Sequence, residues 1–318
     1  MGSLDPRKFA AAESVEQVHS LLETAGMGPG WNKPEPSLWP TPKQTFVPAH
    51  WSYALAKPAL DAAAKFVSTD LAERRNLILS NPVPGNSYAT TRTLVAAYQM
   101  VEPGELARSH RHTPNALRLV VETEPGMFTV VNGKKIPMLP GDVILTPCWS
   151  WHGHRNESGA RAYWIDFLDV PLVQLLEPMF FEPFPDGVET TDEVDERSPM
   201  RFTWADTCHR LASHPTSPSG QSEILLGPPA LSSMALYISC LDAGAECTRG
   251  RTTANSIFAV IDGAGVANVE DRVFDWHRGD VFVVPAWRAH RLRAKTQSRF
   301  LRVTDEPVLA RLDWLREA

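Results

Sequence analysis

Two stretches of this chain, residues 104–156 and 244–290, carry the same punctuation of glycine, proline and histidine. A shift of 140 residues places Gly244 on Gly104, Gly250 on His110, Thr252 on His112, Asn255 on Asn115 and Asp262 on Glu122. A shift of 138 places Gly279 on Gly141, Pro285 on Pro147, Trp287 on Trp149 and His290 on His152. A repeat of this length that keeps its turn residues points to a duplicated domain. The second copy has lost two of three histidines, which separates what the fold needs from what the chemistry needs.

The 318 residues suffice for two cores of ordinary size. A net charge of −6, with no Lys/Arg-rich run, argues against nucleic acid as a partner. Cys148, Cys208, Cys240 and Cys247 form no CxxC pair, which fits a reducing compartment rather than a disulfide scaffold. The opening Met1-Gly-Ser-Leu-Asp-Pro-Arg-Lys has no apolar stretch, and Pro6 stands where a myristoylation signal wants Ser or Thr. No run is long enough for a membrane span, so a cytoplasmic protein is expected.

Helical spacing is expected over 10–26 and 58–76, separated by a Pro- and Trp-rich connector with Trp31, Trp39 and Trp51. From about residue 88 short strands take over: Leu119–Val121, then Phe128–Val131 ahead of the hairpin pair Asn132-Gly133, then Val143–Leu145 after the turn Pro140-Gly-Asp142. Residues 182–199 carry prolines and the acids Asp186, Glu189, Asp192, Glu193, Asp195 and Glu196, and read as a solvated linker rather than a metal patch. A short helix near 203–213 precedes further strands from 233 to about 304. The fold class is all-β with an N-terminal helical arm: two double-stranded β-helix (jelly-roll) barrels of the cupin kind. The boundaries expected are an arm over 1–87, a first barrel over 88–181, linker and helix over 182–232, a second barrel over 233–306 and a tail over 307–318.

His110 and His112, two apart, leave the same face of a strand, and His152 and His154 repeat that spacing. Three imidazoles from two adjacent strands can converge on one divalent metal. His110, His112 and His152 are the expected ligands. Cys148, just ahead of His152, reads as a buried small hydrophobe. Trp149, Trp151 and Trp164 either line a pocket or pack in the barrel wall.

The framing Gly104-x5-His110-x-His112 and Gly141-x5-Pro147-x4-His152-x3-Asn156 resembles the two conserved motifs of the cupin superfamily. Many cupins add a glutamate ligand, but positions 116 and 117 are Ala and Leu. A narrower resemblance rests on Ala72-Glu-Arg-Arg75, His110-Arg-His-Thr113, Ala116-Leu-Arg118, Pro140-Gly-Asp142, Thr146-Pro-x-Trp-x-Trp-His-x-His154 and Trp164-x-Asp166. These are similar to the bicupin gentisate 1,2-dioxygenase family, which includes salicylate and 1-hydroxy-2-naphthoate dioxygenases. The resemblance implies a non-haem Fe(II) enzyme, one iron per chain in the first barrel. It would insert both atoms of O2 between the carboxyl- and hydroxyl-bearing carbons of an aromatic hydroxy acid, which chelates the metal through carboxylate and phenolate. Open coordination positions suit that use.

By position, Arg118 would grip the substrate carboxylate through its planar fork. An even offset from His112 favours the inner face for it, unless Pro114 breaks the register. His154 would act as acid/base or orient the dioxygen adduct, or else be a structural histidine bonded to a carbonyl. Asp166 resembles the family's aspartate near the ring hydroxyls, or pairs with an arginine. Gln99, Arg74, Val95 and Ala97 match pocket positions. Pro114-Asn115 in place of Gln-Ser, and Arg92, depart from a plain gentisate enzyme. They leave open gentisate, salicylate or a 5-substituted salicylate. Two other classes compete: a cupin that binds a metal or small acid without turnover, and a Mn or Zn isomerase or decarboxylase. A homo-oligomer, dimer or tetramer, is expected from the arm and the metal-free second barrel.

Overall fold

A computed structural model describes residues 5–68, 74–227 and 231–318. Residues up to Lys43 form a small unit of their own with α1 (Arg7–Ala10) and α2 (Val15–Thr24). Ser14 caps α2 by accepting from Gln17 N at 3.3 Å. Everything from Gln44 onward belongs to one larger unit.

That unit opens with β1 (Ala49–Trp51), α3 (Tyr53–Ala63) and β2 (Arg75–Ile78). The first repeat follows as β3 (Val95–Val101), β4 (Leu106–His112), β5 (Ala116–Glu122), β6 (Met127–Val131), β7 (Lys134–Pro137), β8 (Val143–Thr146), β9 (His152–Asn156) and β10 (Ala162–Leu168). Then come α4 (Val170–Leu176), β11 (Phe181–Pro183), β12 (Arg201–Phe202), α5 (Trp204–Ala212) and β13 (Gln221–Leu225). The second repeat is β14 (Ala235–Leu241), β15 (Glu246–Arg249), β16 (Ser256–Asp262), β17 (Gly265–Val269), β18 (Arg272–Trp276), β19 (Val281–Val284), β20 (His290–Ala294) and β21 (Ser298–Thr304). The last helix is α6 (Glu306–Arg311).

The first barrel has a long sheet in the order β12-β8-β5-β10-β3-β2 and a short one, β11-β4-β9-β6-β7. The second has β1-β19-β16-β21-β14-β13 and β15-β20-β17-β18. The two long sheets match strand for strand. Every residue of β3 is buried, because one face looks into its barrel and the other into a shared core. Ala96, Tyr98, Leu117, Ile165 and Phe167 of one long sheet join Ile238, Ile257, Val283, Leu301 and Val303 of the other in that core.

Each barrel also takes its outermost long-sheet strand from the segment that precedes the other barrel. β1 pairs with β19 of the second, and β12 pairs with β8 of the first. The attached helices seat on equivalent turns. Asp142 Oδ1 accepts from Trp204 N, and Asp280 Oδ1 from Tyr53 N, both at 2.8 Å. Gly141 and Gly279 have φ of +86° and +84°, and an added Cβ would lie 2.6 Å from the Trp204 ring and 2.5 Å from the Tyr53 ring. Turn conformation and close approach both demand glycine there.

Several expectations need correction. The helix expected over 58–76 runs Tyr53–Ala63, with Pro58 inside it. The Asp280 carboxylate fixes its start from outside, and burial of Tyr53, Ala56 and Leu60 offsets the missing N–H of Pro58. Residues 69–73, with part of the Ala72–Arg75 motif, lie outside the described residues. Strands begin before residue 88, at β1 and β2, and the segment 44–87 lies in the larger unit. The acidic stretch 182–199 is no free linker. Pro183 and Glu182 belong to β11 beside β4, Lys135 N donates to Glu193 O, and Lys134 and Lys135 pair with Glu193 and Asp192. The repeat register also shifts. β4 bulges between Ala107 and His110, whereas β15 does not, so Arg249, not Gly250, stands opposite His290 as His110 stands opposite His152.

Candidate active site

The first barrel's interior is assembled by cross-strand register. Residues directly opposite on neighbouring strands share a face. Val95, Leu168, Ala116 and Thr146 make one inward row of the long sheet, and Ala97, Asp166, Arg118 and Ile144 the next. Gln99, Trp164 and Val120 make the third. The offset from His112 to Arg118 does not decide this, since β4 and β5 lie in different sheets. The pairing of Arg118 with Asp166 does. Leu117 points the other way, into the shared core, and Ala116 has no ligating atom.

From the short sheet, His110 faces His152, and His154 lies opposite both Ala107 and Thr129. Gly153 is glycine because a Cβ would meet Ser109 Oγ at 2.6 Å and Ala107 O at 3.0 Å, where the β4 bulge presses on β9. The ligand atoms of His110, His112 and His152 all lie within 4.8 Å of one another. His112 Nδ1 is 2.8 Å from Pro114 O and His152 Nδ1 3.0 Å from Ser150 O. A carbonyl only accepts, so both rings carry their proton on Nδ1 and offer a lone pair at Nε2. His152 Nε2 is buried and has no hydrogen-bond partner. Burial pushes His110 down to about 3, with Arg74 and neighbouring cations adding to it. Burial likewise lowers His112 and His152. Neutral imidazoles that converge on one point, one with an orphaned buried nitrogen, suit a divalent transition metal.

Beside the triad, Arg118 is 1% exposed, with Asp166 Oδ1 3.4 Å from its Nε and Thr146 Oγ1 accepting from Nη1. Burial lowers it to about 10, against the pull of Asp166, so it remains a cation at neutral pH. Trp164 Nε1 donates to Asp166 Oδ1 at 2.9 Å. Arg74 reaches Asp166 at 3.9 Å and donates to Gln99 Oε1 at 3.1 Å. His154 is 1% exposed, packs its ring 4.8 Å from Trp164, and has no partner at either nitrogen. Burial, then Arg118, holds it well below the usual range. Val95 and Ala97 put small side chains on the same wall.

The structure thus brings together every residue singled out in the sequence for metal, substrate or acid–base roles. Two flanking readings change. Cys148 is exposed rather than buried, and Trp149 and Trp151 sandwich the Arg111 guanidinium at 4.6 and 4.5 Å. Trp164 is a core residue.

The cupin domain model matches residues 97–168 and 237–304. A gentisate 1,2-dioxygenase of Streptomyces sp is 33% identical, over 95% of this chain and 94% of its own length. The chain belongs to the gentisate 1,2-dioxygenase family. It is an aromatic-ring-cleaving 1,2-dioxygenase, a class that works with non-haem iron. A 5-aminosalicylate 1,2-dioxygenase of Comamonas sp is 29% identical over 95% of this chain and 90% of its own. The structure of salicylate 1,2-dioxygenase from Pseudoaminobacter salicylatoxidans, described as adducts with gentisate, superposes with a TM-score of 0.88. It is 27% identical, covering 100% of this chain and 95% of that one. No helix among the described residues is long and apolar enough to cross a membrane.

In this dioxygenase the roles that the sequence did not show are those of Thr146, which holds Arg118, and of Asn115, Asp169 and Ser233, which lie behind the histidines. For the last three the signal was present in the repeat, whereas Thr146 has Val284 as its counterpart. Asn255, Asp305 and Thr93 occupy the matching places of the other barrel.

Proposed function

We propose that this enzyme opens a 2-hydroxybenzoate between its carboxyl- and hydroxyl-bearing carbons, using one Fe(II) per chain held by His110, His112 and His152. The observation that carries the reading is three neutral imidazoles on one side of a barrel interior, with a buried guanidinium, Arg118, on the other. Iron bound there would supply a centre for the chelating carboxylate and phenolate and for dioxygen.

The protein's own groups do the rest. Arg118, clamped by Thr146 and Asp166, presents a charge-assisted donor to the substrate carboxylate without reorganising. Asp166 keeps Arg118 and Arg74 in place and accepts from Trp164, so its lone pairs are largely committed to positioning. Gln99 orients Arg74. His154, held neutral and with both nitrogens lacking a partner, can donate to and accept hydrogen bonds from the substrate or the dioxygen adduct and so orient them. Val95 and Ala97 leave room for a ring substituent, consistent with gentisate, salicylate or a 5-substituted salicylate as the substrate.

The second barrel carries no metal in this reading. Four unpaired thiols suit the cytoplasm. Exposed Trp31, Leu38 and Trp39 in the N-terminal unit favour a homo-oligomer, which sedimentation would measure. The decisive experiment is anaerobic reconstitution with Fe(II), followed by air and each of gentisate, salicylate, 5-substituted salicylates and 1-hydroxy-2-naphthoate. Stoichiometric oxygen uptake with one of them is expected. Absence of uptake with all, in protein shown to hold iron, overturns the proposal.

A further inference from the structure

Asn115 follows His112 by three residues and sits at the centre of a closed, buried network. Its Oδ1 accepts from Cys148 N at 2.9 Å. Its Nδ2 donates to Asp169 Oδ2 at 3.1 Å and to Ser233 Oγ at 2.9 Å, and its main-chain N donates to Asp169 Oδ1 at 2.8 Å. The Ser233 hydroxyl closes the ring by donating to Asp169 Oδ2. Asn115, Asp169 and Ser233 are 6%, 2% and 6% exposed. Ser233 comes from the other barrel, just ahead of β14.

This network anchors the two backbone segments whose carbonyls orient the His112 and His152 rings. Pro114, whose carbonyl takes the His112 proton, is bonded to Asn115. Cys148 opens the turn in which Ser150 O takes the His152 proton and Trp149 N donates to His112 O at 2.9 Å. The second barrel builds the same network in reverse. Asn255 bonds to Asp305, Ala286 N and Thr93 Oγ1, and Thr93 donates to Asp305. There the turn leads only to His290.

We infer that Ser233 is a positioning residue for the first barrel's metal centre, so that the barrel without a ligand set supplies the outer support of the one that has it. The inference rests on the proposed metal triad. The physical reason is that Asn115 Nδ2 and Asp169 Oδ2 both lean on one hydroxyl. Without it a buried carboxylate and amide lose a partner and the 148–150 turn is released.

The test compares Ser233→Thr, Ser233→Val and the mirror change Thr93→Val by anaerobic chelator competition for Fe(II) and Co(II), and by hydrogen exchange over residues 147–151. Thr and Val differ only in hydroxyl against methyl. Ser233→Val is expected to weaken metal binding about tenfold and speed exchange in that turn, while Ser233→Thr and Thr93→Val stay within about twofold of the unchanged protein. Equal metal affinity in Ser233→Val and Thr93→Val overturns the inference. If Ser233→Val does not fold, Ser233→Ala against Thr93→Ala is judged by the same criterion. An unchanged protein that binds neither ion overturns the metal triad itself, a separately visible result.

Discussion

The two barrels share strand order, inter-barrel core, seated helices and even a buried Asn–Asp–hydroxyl network, yet their interiors are opposites. Where the first has His110, His154, Arg118, Trp164 and Asp166, the matching register positions of the second hold Arg249, Leu292, Phe258, Phe300 and Arg302. Phe258 and Phe282 stack at 4.9 Å and fill space that the first barrel leaves to polar groups. Arg302 and Arg249 are tied to Glu223, and Arg302 also to Glu306. One interior thus pairs its arginines with carboxylates and fills its space with aromatic rings, while Trp276 Nε1, Arg302 Nε and both nitrogens of His290 stay without a hydrogen-bond partner. The other also has unpartnered nitrogens, at His152 and His154, but it gathers the ligand atoms of three imidazoles within 4.8 Å of one another. Convergence of such nitrogens on one point, and not merely their lack of partners, is what sets the first interior apart.

The largest expected contrast is at the histidines. His110→Ala should lose metal and reduce turnover by about 1000-fold or more, whereas His290→Ala should retain one metal per chain, read by metal analysis. Metal binding that survived the first change or vanished with the second would break the asymmetry. Arg118→Lys keeps the charge but not the fork, and kcat/KM should fall about 100-fold. The matching Phe258→Leu should leave kcat/KM unchanged and cost about 1 kcal/mol in denaturant unfolding.

Where the barrels are alike, effects should be alike. Gly141→Ala and Gly279→Ala each force a Cβ against an aromatic ring at positive φ, and should destabilise by about 2 kcal/mol apiece in the same assay. A large difference would show that the two helix seats are not equivalent. The smallest effect concerns β11, the edge strand of the first barrel's short sheet. Glu182→Gln breaks the half-exposed pair with Arg111, and should cost at most about 1 kcal/mol.

Much of the site was readable because its residues lie at short, regular spacings on strands. His110-x-His112 and His152-x-His154 announce a shared face, and Asn132-Gly133 announces a hairpin, with φ of 46° and 79° in the fold. Arg118, Asp166, Gln99 and Arg74 were reachable only through family resemblance, since they come from four different segments. The register error at Gly250 has a plain cause: a bulge adds a residue to one strand and not its counterpart, which an ungapped shift cannot detect.

Sequence alone determined the duplication, the clustered histidines and which copy had lost them, because these depend on residue identity and local periodicity. Only the tertiary structure decided which strand each barrel borrows, that Arg249 stands where the other barrel has His110, and that a serine of one repeat completes the network behind the histidines of the other. Those relations join residues such as Asn115 and Ser233, which lie 118 apart in the chain. Pairing across that separation is set by how two sheets pack and twist together, and no local pattern encodes it.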